Sequence, residues 1–183
     1  MKMDEKEKAL DILESNFKDC LAHLHRYISL TLVLSIVYLA IWVTPQQIRV
    51  PGLPVGVEGG FAFALLGAFY VAIGGMATYV AERANNIASE LVKYRPVRFE
   101  ALRLSPSIGT TDVPVVRFLV SFVPTAILAF HVGYLGYIHS NGGVAIPIIF
   151  YIAVGGTLWQ LLPVGRRALN KHADKKKTSE QKA

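Results

Sequence analysis

With 183 residues, 52% of them hydrophobic, and a net charge of +6, the chain is one domain in length and too apolar for an ordinary soluble one. Its mean hydropathy of +0.40 suits a small helical bundle in lipid. The single cysteine, Cys20, excludes an internal disulfide.

Residues 1–26 read as a cytoplasmic amphipathic helix. Leu10, Leu13, Phe17, Cys20 and Leu24 fall at alternating steps of three and four, a heptad-like seam with charges of both signs on the other faces. No Pro or Gly separates this segment from Tyr27, so the helix is expected to run straight into the first apolar block. The seam suits either the stalk described below or a second copy of the chain, and the pattern does not choose. Cys20 reads as a small apolar residue on that stripe, with acylation near the membrane as the alternative.

The block 27–44 carries no charge and ends at Pro45, so it is expected to span a bilayer as a retained signal anchor, not a cleaved signal peptide. Thr31, Ser35, Tyr38 and Trp42 share one of its faces, which should meet protein instead of lipid. The loop 45–58 reads as a hairpin-like cap around Pro51-Gly52-Leu53-Pro54, with Arg49 and Glu58 as a candidate pair.

The second span, 59–81, contains no ionisable residue apart from tyrosines. Its helical pattern continues through 82–94, where Val80, Ala84, Ile87, Ala88 and Leu91 form one apolar stripe, so a single helix should leave the membrane as a stalk. Ala64, Ala68 and Ala72 repeat every four residues and allow another helix to approach closely. The loop that follows is punctuated by Pro96, Pro106 and Gly109, and residues 97–104 are too few to assign to helix or strand. Arg95, Arg98 and Arg103 there read as topology determinants. Asp112 is expected to cap the third span, with Pro114 in its first turn.

In the third span, 118–138, Ser121, Thr125, Ala129 and Gly133 form a second small-residue ladder. Pro124, without a backbone donor, is expected to kink this helix. A short Gly-containing connection, 139–143, makes the third and fourth spans an antiparallel hairpin, and the fourth, 144–164, has Pro147 in its first turn. The remaining 165–183 form a basic cytoplasmic tail, expected to be disordered from Lys171 onward. Its Arg166, Arg167, Lys171, Lys175, Lys176 and Lys177 suit anionic lipid head groups. Nucleic acid is the weakest reading of that tail, because no aromatic residues are interleaved with the charges.

Eighteen of the nineteen Lys and Arg residues lie before the first span, between the second and third, or after the fourth; only Arg49 lies on the other side. Basic residues stay on the cytoplasmic side, so both termini and the middle loop are expected there.

His131 is the one histidine inside a span, and intramembrane ionisable groups are functional candidates. Counting from the outer ends, His131, Tyr38 and Tyr151 lie at a common depth of about 10 Å, with Tyr134 a turn shallower and Tyr70 deeper. This polar cluster can serve a proton, an ion or a small polar ligand. It can equally be a neutral imidazole tied to a phenol between helices, the reading preferred here because no Asp or Glu lies in any span. His23 and His25 stand two apart and diverge on a helix, so no metal site is expected. No phosphate-binding glycine loop, nucleophile elbow or catalytic triad is present, so neither a cofactor nor an enzymatic activity is expected.

The expected architecture is therefore all-α: a four-span transmembrane helical bundle with a small helical cytoplasmic layer. It divides into the helix 1–26, a membrane domain 27–164 that includes the stalk and loop 82–113, and the tail 165–183. The expected function is that of a non-enzymatic oligomeric membrane subunit, an anchor for a cytoplasmic protein partner or a pore-forming component. The alternative is a small transporter or ligand-binding membrane protein centred on His131.

Overall fold

The computed structural model describes the backbone of residues 2–43, 47–48, 57–104, 107–127, 129 and 145–180, and the side chains of 5–37, 65–104, 107–127, 129 and 152–180. Among the described residues the fold is all-α apart from one minimal β pair. Two helices dominate it: α1, Lys2–Val43, of 42 residues, and α2, Gly59–Tyr94, of 36 residues. At the helical rise these are about 63 Å and 54 Å long. Helix α1 passes residue 26 without a break, as the absence of Pro and Gly there predicts. Strands β1, Gln47–Ile48, and β2, Val57–Glu58, pair antiparallel with Ile48 opposite Val57. They close the α1–α2 hairpin at one end, in keeping with the hairpin-like cap; Arg49 lies outside the described residues.

At the other end Lys6 sits over the Tyr94 ring, and Asp11 and Glu14 reach Arg95. The two long helices are thus antiparallel. The α1 seam decides for its own chain: Phe17, Cys20, Leu21 and Leu24 are buried against Val80, Ala81, Ala84, Ala88 and Leu91 of α2. Alanines on the stalk let the larger α1 side chains lie close to the α2 backbone.

Residues 97–104, unassignable from pattern, belong to helix α3, Pro96–Arg103, with its proline at the start of the first turn. A 3₁₀ turn, Ile108–Thr110, follows. Helix α4, Pro114–Ser121, has Val113 at its N-cap without a side-chain cap bond. This corrects the expectation for Asp112, whose carboxylate is taken by arginines instead. A turn at Phe122 separates α4 from a further helical stretch, 123–127. The cause is Pro124, which cannot donate to the carbonyl of Val120 and crowds it. Helix α5, Ala145–Leu161, includes Pro147 in its first turn. Helix α6, Arg166–Glu180, corrects the expectation of a disordered tail: a run of helix-favouring Arg, Ala, Leu and Lys residues with a Lys176–Glu180 pair of i,i+4 spacing keeps it helical.

The apolar helices α1, α2, α4 and α5 alternate in direction. Gly74 of α2 meets Val154 and Asn85 meets Leu161, so α2 and α5 run the same way. Arg117 reaches Trp159 while Thr125 meets Gly155, so α4 runs against α5. Glu5–Val37 and Leu65–Tyr94 are long and apolar enough to cross a membrane, and Pro114–Ile127 is a shorter apolar helix. In these apolar parts large side chains point outward: Leu30, Val33, Ile36, Leu65, Phe69, Met76 and Ile152 are all exposed. Thr31, Ser35, Tyr70, Ser121 and Thr125 are buried among the helices.

Candidate functional site at the helix junction

Chemistry-bearing side chains concentrate where the long helices meet α3 and the turn between α5 and α6. The turn itself is fixed by residues far away in sequence. Asn85 on α2 donates from Nδ2 to the Leu161 carbonyl at 3.0 Å and accepts at Oδ1 from the Gly165 amide at 2.8 Å. Carbonyls in the last turn of a helix have no intrahelical donor, so Asn85 supplies from α2 the partner that α5 lacks. The Val164 amide donates to the Gly109 carbonyl at 2.8 Å, tying the same turn to the 3₁₀ segment. Gly165 has φ +79, and a Cβ there would come within 2.5 Å of Cζ of Phe99. Only glycine satisfies both the backbone and the ring. Phe99 is itself buried and meets Phe17 edge-on, with ring centroids 5.2 Å apart.

An ionic cluster covers one side of this junction. Glu14, with its side chain only 5% exposed, is held by Arg95 Nη1 and Arg98 Nε, each at 2.9 Å. A buried carboxylate demands such pairing, because an unpaired one would lose its hydration uncompensated. Arg95 Nη1 also donates to Asp11 at 2.6 Å. That bond, aided by the charge of Arg95 and Arg98, holds the Asp11 carboxyl below the usual carboxylate range. A second cluster forms on Asp112, which accepts two bonds from Arg103, at 3.3 and 3.0 Å, and pairs with Arg166 at 3.4 Å. The loop arginines read as topology determinants are therefore also structural ties. Cys20 is buried in the α1 seam, and burial pushes its thiol above the ordinary value.

Among the head-group candidates, Arg166 is engaged with Asp112 and Lys176 pairs with Glu180 at 3.9 Å, while Arg167, Lys171, Lys175 and Lys177 stand exposed on α6. Of the intramembrane polar cluster, Tyr70 is buried and its hydroxyl lies 2.8 Å from Thr125 Oγ1. His131 and Tyr134 lie outside the described residues, as do the side chains of Tyr38 and Tyr151. Of the two ladders, Ala68 and Ala72 face outward, Ser121 and Thr125 are buried, and Ala129 is partly buried. Gly133 and the side chain of Ala64 lie outside the described residues. Ser121 and Thr125 meet Gly155 of α5, where an added Cβ would lie 2.6 Å from Thr125 Oγ1 and 2.8 Å from the Ser121 carbonyl.

Asn85, Glu14 and Arg117 escape a reading of the pattern alone. Glu14 stands four residues after Leu10 and three before Phe17, a carboxylate on the edge of an apolar seam, and that spacing was its signal. Asn85 interrupts the alanine stripe of the stalk in the same way. Arg117 donates from Nη2 to the Trp159 carbonyl at 2.9 Å and stacks its guanidinium 4.1 Å from the Trp159 ring, a contact that no local spacing announces. Among the described residues no group of three or more His, Cys, Asp and Glu is placed to hold a metal ion. The junction binds helices to one another, and its chemistry is charge pairing and hydrogen bonding. Comparison with protein families, with curated proteins and with solved structures gives no match.

Proposed function

We propose that this chain is a four-span integral membrane protein with both termini cytoplasmic. In this reading it acts as a non-enzymatic oligomeric membrane subunit whose junction layer anchors a cytoplasmic protein partner. The observation that carries the reading is the inverted distribution of side chains in the apolar helices. Leu30, Val33, Ile36, Phe69 and Met76 face outward while Thr31, Ser35, Tyr70 and Thr125 are enclosed. In water such an apolar surface would cost about 25 cal/mol for each Å² left exposed, whereas lipid accepts it and leaves the hydroxyls to bond inside. Alternating helix direction and the gathering of eighteen of nineteen Lys and Arg on one side support the orientation.

The anchor is favoured over the pore by the described interior, where Tyr70 bonds to Thr125 and Gly155 abuts Ser121 and Thr125. A pore would then run between copies. Ala68 and Ala72, exposed on α2, are the close-packing face for such copies. Long helices that leave the membrane unbroken give the cytoplasmic layer a fixed position on the bilayer, as an anchor requires.

Reporter fusions test the reading. Fusions at Ser107 and Lys182 are expected to report cytoplasm and one at Gly52 the outer side, and an outer signal at Ser107 would remove the four-span arrangement. Ion flux through liposomes carrying the pure protein would replace the anchor by the pore.

A further inference from the structure

Helix α3 turns back along α1. Its Arg98 is level with Glu14, and the 3₁₀ turn that follows places Gly109 against Leu24. Between α3 and α1 lies a groove of about 580 Å³, within the usual size range of ligand pockets. Lys18, His25 and Arg26 line it from α1 and Arg98 from α3, over a floor that includes Leu21 and Leu102. Four nitrogen-bearing side chains thus line one groove, and no carboxylate is among the lining residues. Glu14 holds Nε of Arg98 at 2.9 Å, which orients the guanidinium at the edge of the groove. Ser107, also in the wall, accepts from the Gly109 amide at its hydroxyl oxygen and keeps its own proton to donate.

We infer that this groove binds the phosphate group of an anionic phospholipid head group. The inference rests on the four-span reading above and gives the cytoplasmic face a defined lipid site, separate from the tail. A phosphate diester is matched by guanidinium, ammonium and hydroxyl donors together. Two features select a lipid over a soluble phosphate. Arg26 is the last cation before the uncharged block that starts at Tyr27, and Lys18 stands about 12 Å farther out along the helix, so the donors begin at the bilayer surface. Leu104, on the same side of α3 as the groove residue Ala101 by helical spacing and at the end of α3 nearer the bilayer, is 75% exposed. An apolar side chain bared there suits the glycerol region of a lipid, and would gain nothing from a free anion.

The test uses the full chain in neutral detergent, titrated with phosphatidylglycerol or phosphatidylcholine and read by native mass spectrometry. Wild type is expected to retain phosphatidylglycerol selectively. The exposed pair Lys18→Gln with Arg26→Gln should reduce that retention about 10- to 30-fold, as expected for removing two cations at an anionic surface. Lys18→Arg with Arg26→Lys should restore it. Lys175→Gln with Lys176→Gln and Lys177→Gln should leave it unchanged, because the tail is not part of the groove. Equal retention of both lipids by wild type, or an equal loss in the tail variant, overturns the inference. Displacement of the lipid by millimolar inorganic phosphate would assign the groove to a soluble anion and overturn the lipid source. The reporter fusions are independent of this assay: if they fail, the four-span reading falls, and if they hold while lipid selectivity is absent, only the groove assignment falls.

Discussion

Replacing Asn85 by alanine removes a side chain that bridges α2 to the end of α5 and to the Gly165 amide. Of its three hydrogen bonds, the one to the Ala81 carbonyl at 3.0 Å is local, to an oxygen that the helix already uses. The other two join groups 76 and 80 positions apart in sequence and have no substitute within α2. At about 1 kcal/mol each, their loss should cost about 2 kcal/mol. For a chain of this size that lowers the melting temperature by about 4–8 °C. The assay is thermal unfolding in detergent, paired with hydrogen exchange at the Gly165 amide, which should become faster. Ser89→Ala on the same helix is the control, since Ser89 is exposed and bonds only to the nearby Asn86 carbonyl at 2.7 Å. A variant that melts with wild type, or a loss of stability without faster exchange at Gly165, would refute the account of the junction.

Further outcomes are expected elsewhere. Gly155→Ala should destabilise by about 1–3 kcal/mol, because its methyl would meet the Ser121 carbonyl, a backbone atom that cannot turn aside. Gly156→Ala, where nothing lies within 4 Å, should be neutral or stabilising by up to about 1 kcal/mol, and the two melting curves compared give the answer. Cys20 should react slowly with a thiol reagent at neutral pH and rapidly after unfolding, since burial raises its thiol above the ordinary value and blocks approach. The Asp11 carboxyl is lowered from its ordinary 3.8 by Arg95, so its stabilising effect is fully present above 3.8 and lost as the pH falls through the lower folded value. Wild type and Asp11→Asn should therefore differ in stability at neutral pH and converge in acid, as denaturation at several pH values would measure.

Local patterning carried much of the fold. The α1 seam, its continuity past Arg26, the stalk on α2, the hairpin cap and the break before Pro124 all follow from spacing, from backbone chemistry, or from the presence or absence of Pro and Gly. Each is a property of neighbouring residues, so it is written in the sequence within a few turns. In the tail, the helix propensity of the Ala and Lys residues and the Lys176–Glu180 spacing outweigh the charge that favours disorder.

What the seam would pack against was not legible. Leu10, Phe17 and Leu24 serve equally well against a second copy or against Ala84 and Ala88, and only the hairpin geometry chooses. Asp112 shows the same limit. A carboxylate two residues before Pro114 suits a cap, but Arg103 and Arg166 brought near it offer charge-assisted bonds that a cap cannot equal. The junction depends still more on tertiary placement. Asn85 gains its role because the end of α5 arrives beside it, Gly165 is required because Phe99 fills the space above it, and the basic groove exists because α3 folds back on α1. Periodicity determines which face of a helix is apolar, since that depends on its own rotation per residue. The partner of each polar group is decided only when the chain brings together residues dozens of positions apart.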